Sequence, residues 1–163
     1  MLAVDVLDDM TRLHGEPRTI LRPTADWQLF RRGRPMYGKV YDWHTLEGPF
    51  VRRHGGRYYC FYSGGSWETD TYAVACAVAD APWGPWSEPA GTQPLLRTVP
   101  GRVVGPGHNS VVTAADGTDV LVYHAWDAAL TTRRMCIDPL VWTASGPTAP
   151  AAPSWGPVEL PRE

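Results

Sequence analysis

The chain has 163 residues, of which 20% are charged, and its formal net charge is -2 at pH 7. This length is enough to bury a core and indicates a single domain, while the small net charge gives no reason to expect nucleic acid or an anionic membrane as a partner. Sixteen Gly, sixteen Pro and eight Trp beside a hydrophobic fraction of 44% favour a turn-rich, all-β protein over a disordered chain.

The first element in chain order is the tail of an incomplete repeat unit. Residues 3–7 predict a strand, and Thr19-Ile20-Leu21 predicts the strand that closes the unit. The N-terminal residues lack the charged start and long apolar core of a secretion signal, and no segment of the sequence is long and apolar enough to cross a bilayer. Localisation therefore stays open, with the cytoplasm expected if Met1 is the true start.

A long segment, residues 22–45, follows and interleaves aromatic residues with arginines. It predicts an excursion at the surface or rim of the fold, ahead of the next sheet. Trp43 in this segment and Trp67 in a later loop are candidate platforms for stacking on a sugar ring. Burial in the core or at the rim is the alternative for each of them.

The next unit opens with Leu46-Glu47-Gly48-Pro49-Phe50, ahead of a tyrosine-rich run. An acidic residue followed by Gly-Pro at the start of a strand has a restricted backbone and little local structural reason to be there. Glu47 is therefore a candidate general acid. The alternative is an ordinary solvated carboxylate at a strand edge.

A shift of 61 positions superimposes this unit on a second one. Residues 59–62 align with 120–123, and residues 72–76 align with 133–137. Each unit reads strand, turn, strand, loop, strand, Gly-Pro, with an outer strand after it, which is typical of a β-propeller blade. We predict two antiparallel sheets about a common axis, with strands near 47–53, 57–63, 72–80, 109–114, 119–125 and 133–141.

The second unit carries His108 in the position that the alignment gives to Glu47 in the first unit. This shared position predicts that both side chains, together with Arg133, point into one axial depression. A satisfied core histidine and a surface strand charge are the alternatives for His108 and Arg133. Two units and part of a third are visible, and because a closed propeller needs at least four blades, the chain reads as an incomplete ring.

The end of the chain and the three cysteines complete the pattern. Residues 144–163 are Pro-rich and include a short predicted strand at Val158-Glu159-Leu160. Cys60, Cys76 and Cys136 are an odd number without C-x-x-C spacing, which predicts buried free thiols in place of a disulfide framework or a metal site.

Four ordered motifs resemble glycoside hydrolase family 43. They are Glu47-Gly48-Pro49, Gly105-Pro106-Gly107-His108-Asn109-Ser110-Val111-Val112, Val122-Tyr123-His124-Ala125 and the run from Arg133 to Trp142. Their order and spacing match over nearly the whole chain, with residues 22–43 and the last fifteen matching least. The resemblance implies an all-β, partial five-bladed β-propeller of about two full four-stranded blades plus part of a third. Residues 1–163 would form the C-terminal part of that single domain.

The resemblance also implies a reaction and the residues that carry it. Family members hydrolyse polymers containing arabinose, xylose and sometimes galactose, with one carboxylic acid and one carboxylate held ~6.5–9.5 Å apart in the inverting mechanism. Glu47 falls on the general acid, and Arg133 on a pocket arginine that contacts the substrate. His108 falls on the propeller axis, where it would contact the substrate or hold a single cation such as calcium. No cofactor is required.

The family's base and the Asp that tunes the acid have no counterpart in this chain and would lie before Met1. We therefore expect negligible turnover by the chain alone. The expected partners are an oligo- or polysaccharide and a complementary N-terminal half, or a second copy joined through exposed blade edges. The alternative function is a non-catalytic half-propeller that binds carbohydrate or a protein partner.

Overall fold

The structure, a computed structural model, describes residues 1–88 and 93–150. Within these ranges the chain forms twelve β-strands and one short 3-10 helix at Asp26–Gln28, and none of its helical structure has the length and hydrophobicity of a membrane span. The all-β prediction is confirmed. The strands are β1 Leu2–Val4, β2 Arg18–Leu21, β3 Leu29–Met36, β4 Lys39–His44, β5 Leu46–His54, β6 Arg57–Gly64, β7 Ala73–Ala79, β8 Val104–Thr113, β9 Asp119–Trp126, β10 Arg133–Pro139, β11 Val141–Thr143 and β12 Gly146–Thr148.

Two antiparallel, three-stranded sheets form the centre of the molecule. Strands β5, β6 and β7 make the first blade, and β8, β9 and β10 make the second blade. These six strands agree with the predicted spans to within a few residues, except that β8 begins at Val104 instead of near residue 109. Strands β1 and β2 pair as a separate N-terminal sheet, which is the predicted fragment of an earlier unit.

The first blade is buried on both of its faces. Phe61 packs with Leu121 of the second blade, whereas the neighbouring Cys60 and Tyr62 pack with Leu21 of the N-terminal sheet. Successive residues of β6 therefore serve two different cores, which explains why this strand is a continuous apolar run in the sequence. Burying each large apolar side chain contributes about 1.5–3 kcal/mol before entropy is counted.

Within residues 1–88 and 93–150, the second blade is covered on one face only. Along β9, Leu121 and Tyr123 are buried against the first blade, while the alternating residues point the other way and are half-buried. Strand pairing places Val112 and Met135 on that second side, where they are 49% and 72% exposed. We call this side the open face; it comprises Ser110, Val112, Val120, Val122 and Met135.

The outer strand expected of each unit is short in the described part of the chain. In the first unit it is reduced to two isolated bridges to β7, Val78 with Ser87 and Val74 with Leu96. The residues before Ser87 include Pro82 and Pro85, which have no N–H group to donate to a ladder. In the second unit no fourth strand pairs with β10 among the described residues; the β11–β12 hairpin that follows is a separate sheet, and its Trp142 packs against His54 and Tyr59 of the first blade. The predicted strand at residues 158–160 lies outside the described residues.

The segment predicted as a surface excursion contains a β-hairpin made by β3 and β4. Its tip is the dipeptide Tyr37-Gly38, and both residues have positive φ, 52° and 74°. This is the backbone of a two-residue hairpin turn whose twist matches that of its strands. Asp42 accepts hydrogen bonds from Arg32 Nη1 at 2.9 Å and from the Gly33 N–H at 2.8 Å, which fixes the bulge in β3.

The two units do not keep one offset throughout, and this corrects the alignment of Glu47 with His108. Glu47 pairs with Ser63, and Gly107 pairs with His124, so Gly107 occupies the place of Glu47. His108 corresponds instead to Gly48, and both have positive φ, 54° and 57°, in a bulge. The cause is the connection between the first two strands, which is one residue longer in the second unit; β6 and β7 retain the 61-residue offset to β9 and β10.

A buried carboxylate joins the two blades. Asp119 at the start of β9 accepts hydrogen bonds from Arg52 Nη2 of β5 at 2.7 Å and from Thr113 Oγ1 at 2.7 Å on the same oxygen. Its other oxygen accepts from Trp142 Nε1 at 2.9 Å. Burial acts to raise the pKa of Asp119, but the hydrogen bonds from Thr113 and Trp142 and the charge of Arg52 together hold it below its ordinary value.

The three cysteines are free thiols, as predicted. Cys60 on β6 and Cys136 on β10 are buried, and Cys76 on β7 is half-buried. Burial raises the pKa of the Cys60 thiol to about 12 and also raises the pKa of Cys76 and of Cys136. The thiols therefore stay protonated and unreactive in the folded protein.

Candidate active site

Glu47 lies near the start of the first strand of the first blade. It pairs with Ser63, and the strand then bulges between Glu47 and Phe50. The bulge is formed by Gly48, whose φ of 57° favours glycine. A bulge changes the direction of a side chain at a strand end, and here the half-buried carboxylate accepts a hydrogen bond from the Tyr72 hydroxyl group at 2.6 Å.

Tyr72 stands immediately before β7 and is 1% exposed. Its ring lies parallel to that of His124, with the ring centres 6.1 Å apart and the planes at 8°. Burial raises the pKa of Tyr72, and the Glu47 carboxylate raises it further. The phenol therefore remains protonated near neutral pH and acts as a hydrogen-bond donor to Glu47.

The glycines that open the second blade make room for this tyrosine. A Cβ atom on Gly107 would overlap Cε1 of Tyr72, and a Cβ atom on Gly105 would lie 3.4 Å from Cβ of Tyr72 and 2.6 Å from the Thr69 carbonyl oxygen. The Gly-Pro-Gly motif is thus required by close packing of one blade against the other. It brings the second blade to the edge of the Glu47 site.

His108 follows these glycines. Its backbone N–H donates to Ser63 Oγ at 2.7 Å, which supports the left-handed backbone at this position. The imidazole ring lies 3.2 Å from where a Cβ atom on Gly48 would be, so it packs over the backbone next to Glu47. His108 therefore lies beside the Glu47 segment, although from a different position in its strand.

Arg133 begins β10 and is surrounded by aromatic rings. Its guanidinium carbon lies 5.0 Å from the ring centre of Trp126 and 5.8 Å from those of Trp67 and Tyr72. Burial lowers the pKa of Arg133, while Tyr72 and Glu47 act to raise it. Within the described residues Nε and Nη2 have no hydrogen-bond partner, and two such N–H groups suit a sugar hydroxyl or ring oxygen.

His124 on β9 supplies a neutral polar group to the same place. Burial, followed by the charges of Arg133 and His108, lowers the pKa of His124 to about 4. The imidazole is therefore uncharged near neutral pH and can donate or accept a hydrogen bond. Its Nδ1 atom has no partner among the described residues, and its ring centre lies 6.0 Å from that of His108.

The two candidate tryptophans have different surroundings. Trp67 is 41% exposed beside Arg133, and its carbonyl oxygen accepts from Trp126 Nε1 at 2.8 Å. Trp43 lies on the β3–β4 hairpin, where the Arg34 guanidinium covers its ring at 3.7 Å. The structure thus brings Trp67 into the group around Tyr72, whereas the described ring contacts of Trp43 are within the hairpin. Sugar stacking by either ring stays a prediction.

A cation at His108 also stays a prediction. Within residues 1–88 and 93–150, no group of three or more His, Cys, Asp or Glu side chains is arranged to hold a metal ion. Calcium takes six to eight oxygen ligands, and the described side chains near His108 are mainly imidazole and guanidinium groups. These residues alone do not fit a calcium site.

Tyr72 and His124 are the members of this group to which the sequence reasoning assigned no role. The repeat contains a signal for Tyr72, because it occupies the same place before β7 that Arg133 occupies at the start of β10. His124 likewise occupies the place of Ser63. Polar side chains at two equivalent positions of adjacent blades are expected to meet at the axis.

The candidate site places the Glu47 carboxyl group near the Arg133 guanidinium and the neutral His124 imidazole, where the two blades meet. An open depression of about 350 Å³ lies beside it, lined in part by His108, His124, Arg133 and Met135. Glu47 is the carboxylate whose charge acts on Tyr72, His124 and Arg133. Such a site can donate a proton to a bound oxygen atom and hold neighbouring hydroxyl groups.

The chain is similar in sequence to known glycosyl hydrolases. A sequence profile described as glycosyl hydrolases family 43 matches residues 1–148. The chain is 35% identical over 109 residues to a β-D-galactofuranosidase of Aspergillus niger, covering 64% of this chain and 31% of that protein. It is 29% identical over 119 residues to an extracellular exo-α-(1→5)-L-arabinofuranosidase of Streptomyces avermitilis, covering 69% of this chain and 22% of that protein.

Solved structures of glycoside hydrolases also superpose on this chain. A thermostable family-43 glycoside hydrolase superposes with a TM-score of 0.80 at 30% identity, covering 99% of this chain and 50% of that chain. An α-L-arabinofuranosidase of Lactobacillus brevis superposes with a TM-score of 0.69 at 26% identity, covering 99% of this chain and 49% of that chain. The chain thus spans about half the length of these structures and a smaller part of the curated relatives.

Proposed function

This chain belongs to family 43 of the glycosyl hydrolases, and we propose that it carries the general-acid part of an inverting active site for arabinose- or xylose-containing polysaccharides. The observation that carries the proposal is the Glu47 carboxyl group, held by Tyr72 at 2.6 Å and grouped with Arg133 and His124. The arabinofuranosidase and galactofuranosidase names of its relatives support a furanoside substrate.

In the proposed reaction Glu47 donates its proton to the glycosidic oxygen as the bond to the anomeric carbon breaks. A water molecule attacks that carbon from the opposite face and gives its proton to a second carboxylate, ~6.5–9.5 Å away from the acid. The unpartnered N–H groups of Arg133 hold substrate oxygen atoms, and neutral His124 adds one further hydrogen bond. Trp67 offers an exposed ring for a sugar face.

The second carboxylate is proposed to come from a complementary half that packs against the open face. Three of the described carboxylates other than Glu47 have partners elsewhere: Asp119 pairs with Arg52, Asp138 with Tyr123, and Glu88 with Tyr62. The extent of the structural relatives, of which this chain spans about half, agrees with a complementary half of similar size.

The test compares the chain alone with the chain co-expressed with the remaining half of the thermostable relative. Aryl α-L-arabinofuranosides, β-D-xylosides and β-D-galactofuranosides serve as substrates, and NMR identifies the first anomer released. We expect negligible turnover by the chain alone and inversion by the complex. Glu47→Gln should slow the complex by about 10²–10⁴-fold on substrates with poor leaving groups, whereas Glu16→Gln, an exposed carboxylate of the N-terminal sheet region, should not.

Efficient turnover by the isolated chain would contradict the proposal, because it would require a base within these residues. Full activity of the Glu47→Gln complex would contradict the role of Glu47.

The exposed ring of Trp67 beside the unpartnered Arg133 N–H groups favours one further candidate, a non-catalytic carbohydrate-binding module. Isothermal titration of the chain with arabino- and xylo-oligosaccharides distinguishes the two. Binding that is lost in Trp67→Ala, combined with no turnover by the complex, would favour the binding module.

A further inference from the structure

We propose that Tyr72 is the positioning residue of the acid: its hydroxyl group fixes Oε1 of Glu47, so that Oε2 faces the substrate and carries the transferred proton. This inference rests on the proposed function, in which Glu47 is the general acid. It adds a residue outside the substrate contacts that determines which oxygen atom of the acid reacts.

The contact itself distinguishes the two carboxyl oxygen atoms. The Tyr72 hydroxyl donates to Oε1 at 2.6 Å. A phenol has one hydrogen to donate, and an oxygen that accepts this hydrogen is a poor place for a second proton. When Glu47 is protonated, its proton therefore belongs on Oε2, the oxygen atom that Tyr72 does not contact.

The tyrosine can act in this way because its ring is closely packed. Gly107 of the second blade lies so close that a Cβ atom there would overlap Cε1 of the ring, and His124 is parallel to the ring at 6.1 Å. The Arg133 guanidinium lies 5.8 Å from the ring centre. The hydroxyl group is thus held by contacts from two blades, and the orientation of Glu47 depends on how these blades pack.

The hydrogen bond from Tyr72 to Glu47 also becomes stronger during the reaction. As the glycosidic bond breaks, its electron pair stays on the departing oxygen, which takes the proton from Oε2 and leaves Glu47 as a carboxylate. The attacking water supplies the new bond to the anomeric carbon, and its proton goes to the base. The Tyr72 bond to Oε1 then becomes charge-assisted, which makes it roughly twice as strong as a neutral one.

The first test examines the isolated chain with ¹³C-labelled glutamate carboxyl groups. Tyr72→Phe keeps the ring and its packing but removes the donor. The matched control is Tyr123→Phe, which removes a similar buried hydroxyl group that donates to Asp138 at 2.5 Å in the second blade. We expect the Glu47 carboxyl resonance to move and broaden in Tyr72→Phe and to stay in place in Tyr123→Phe. An unmoved resonance in Tyr72→Phe would overturn the inference, whatever the activity.

The second test uses the complex with its complementary half and two arabinofuranosides that differ in their leaving group. An alkyl leaving group needs a proton, whereas a dinitrophenyl leaving group departs without one. Tyr72→Phe should slow hydrolysis of the alkyl substrate by about 10- to 100-fold and leave the dinitrophenyl substrate near the wild-type rate. Equal losses on both substrates would indicate a merely structural tyrosine and overturn the inference. If the wild-type complex hydrolyses neither substrate, the proposed function fails, and the NMR comparison still decides the contact.

Discussion

At the scale of single residues, the candidate site places a carboxylate and a guanidinium beside an imidazole that burial keeps neutral. Glu47 and Arg133 both act electrostatically on His124, and the pKa of His124 is lowered to about 4, mainly by burial. A histidine that is neutral in the fold but free to ionise when unfolded makes stability depend on pH. The same contacts that prepare His124 for hydrogen bonding therefore have a measurable thermodynamic effect.

We predict that His124 destabilises the fold in mild acid. Its pKa is about 4 when folded and about 6.5 when unfolded, so between these values the unfolded chain binds more protons. The contribution is fully present above pH ~6.5 and is lost as the pH falls to ~4, by about 1–3 kcal/mol after allowance for partial exposure. Urea denaturation across this range should show a smaller loss in His124→Gln than in the wild type. His14→Gln, at an exposed site, is the control; equal losses in the wild type and His124→Gln would contradict the prediction.

We predict a second residue-scale effect at Gly107. In Gly107→Ala the new methyl group overlaps the Tyr72 ring, and overpacking of this kind costs about 1–3 kcal/mol. Gly15→Ala is the control, because nothing lies within 4 Å of its added Cβ atom. Thermal or urea unfolding measures both variants. If Gly107→Ala were as stable as Gly15→Ala, the close contact between Tyr72 and the second blade would be refuted.

The site residues were only partly predictable from the sequence. Motifs singled out Glu47, His108 and Arg133, and the structure brings them around Tyr72 and His124. The prediction that Glu47 and His108 share one strand position was wrong. The turn after the first strand is one residue longer in the second unit, so the first strands are offset by one residue fewer than the strands beside them. Contacts between the blades, such as that of Tyr72 with His124, join residues far apart in sequence. Local sequence patterns therefore do not predict these contacts.

At the scale of strands and sheets, the two blades are joined by packing and by the Asp119 network. The carboxylate lies in the second blade and is 6% exposed, and its cationic partner Arg52 lies in the first. Trp142, which follows β10, donates to the other oxygen atom. This arrangement satisfies a buried charge with three donors from separate elements. Removal of the carboxylate takes the Asp119 acceptor from all three and leaves Arg52 Nη2 with Thr113 Oγ1 alone, at 2.6 Å.

We predict that Asp119→Ala lowers the free energy of unfolding by about 3–5 kcal/mol, the usual cost of breaking a buried ion pair on one side. The control is Asp80→Ala, which removes the partner of Arg57 in an exposed pair, with Asp80 86% exposed, and should cost at most about 1 kcal/mol. Urea denaturation of both variants provides the comparison. Similar small losses in the two variants would show that Asp119 does not join the blades.

The strands of the two repeat units were predicted well, and the β3–β4 hairpin was not. Its turn is Tyr37-Gly38, although Asn, Asp or Gly is the usual first residue when φ is positive. Strand β3 carries three arginines where a half-buried strand would carry apolar residues, so the period-2 signal is weak. Cross-strand contacts such as Arg34 on Trp43, and not hydrophobic alternation, support this hairpin.

At the scale of the whole molecule, the two blades differ in how they are covered. The first blade is enclosed by the second blade and the N-terminal sheet, and the second blade keeps its open face. This face adjoins the depression that His124 and Arg133 line. A sheet that packs here would therefore also form a wall of the candidate site.

We predict that the isolated chain self-associates through the open face. Val112 and Met135 are exposed on it, and an uncovered apolar sheet face favours association. Sedimentation velocity should show concentration-dependent dimers or larger species, which Val112→Lys with Met135→Lys should reduce and the complementary half should displace. The matched pair Tyr37→Lys with Val40→Lys, on the separate β3–β4 hairpin, should leave association unchanged. A strictly monomeric wild-type chain would contradict the prediction.

The distribution of the cysteines provides a way to observe the blades separately. Cys60 lies in the first blade and Cys136 in the second, and a protonated, buried thiol reacts with an alkylating reagent only after its surroundings open. Because the described part of the chain covers the second blade on one face only, we expect Cys136 to be alkylated earlier than Cys60 in pulse labelling followed by mass spectrometry. Equal rates would mean that both blades open in one cooperative event. In either case the alkylation rates of the native thiols report local unfolding of each blade, and no label has to be introduced.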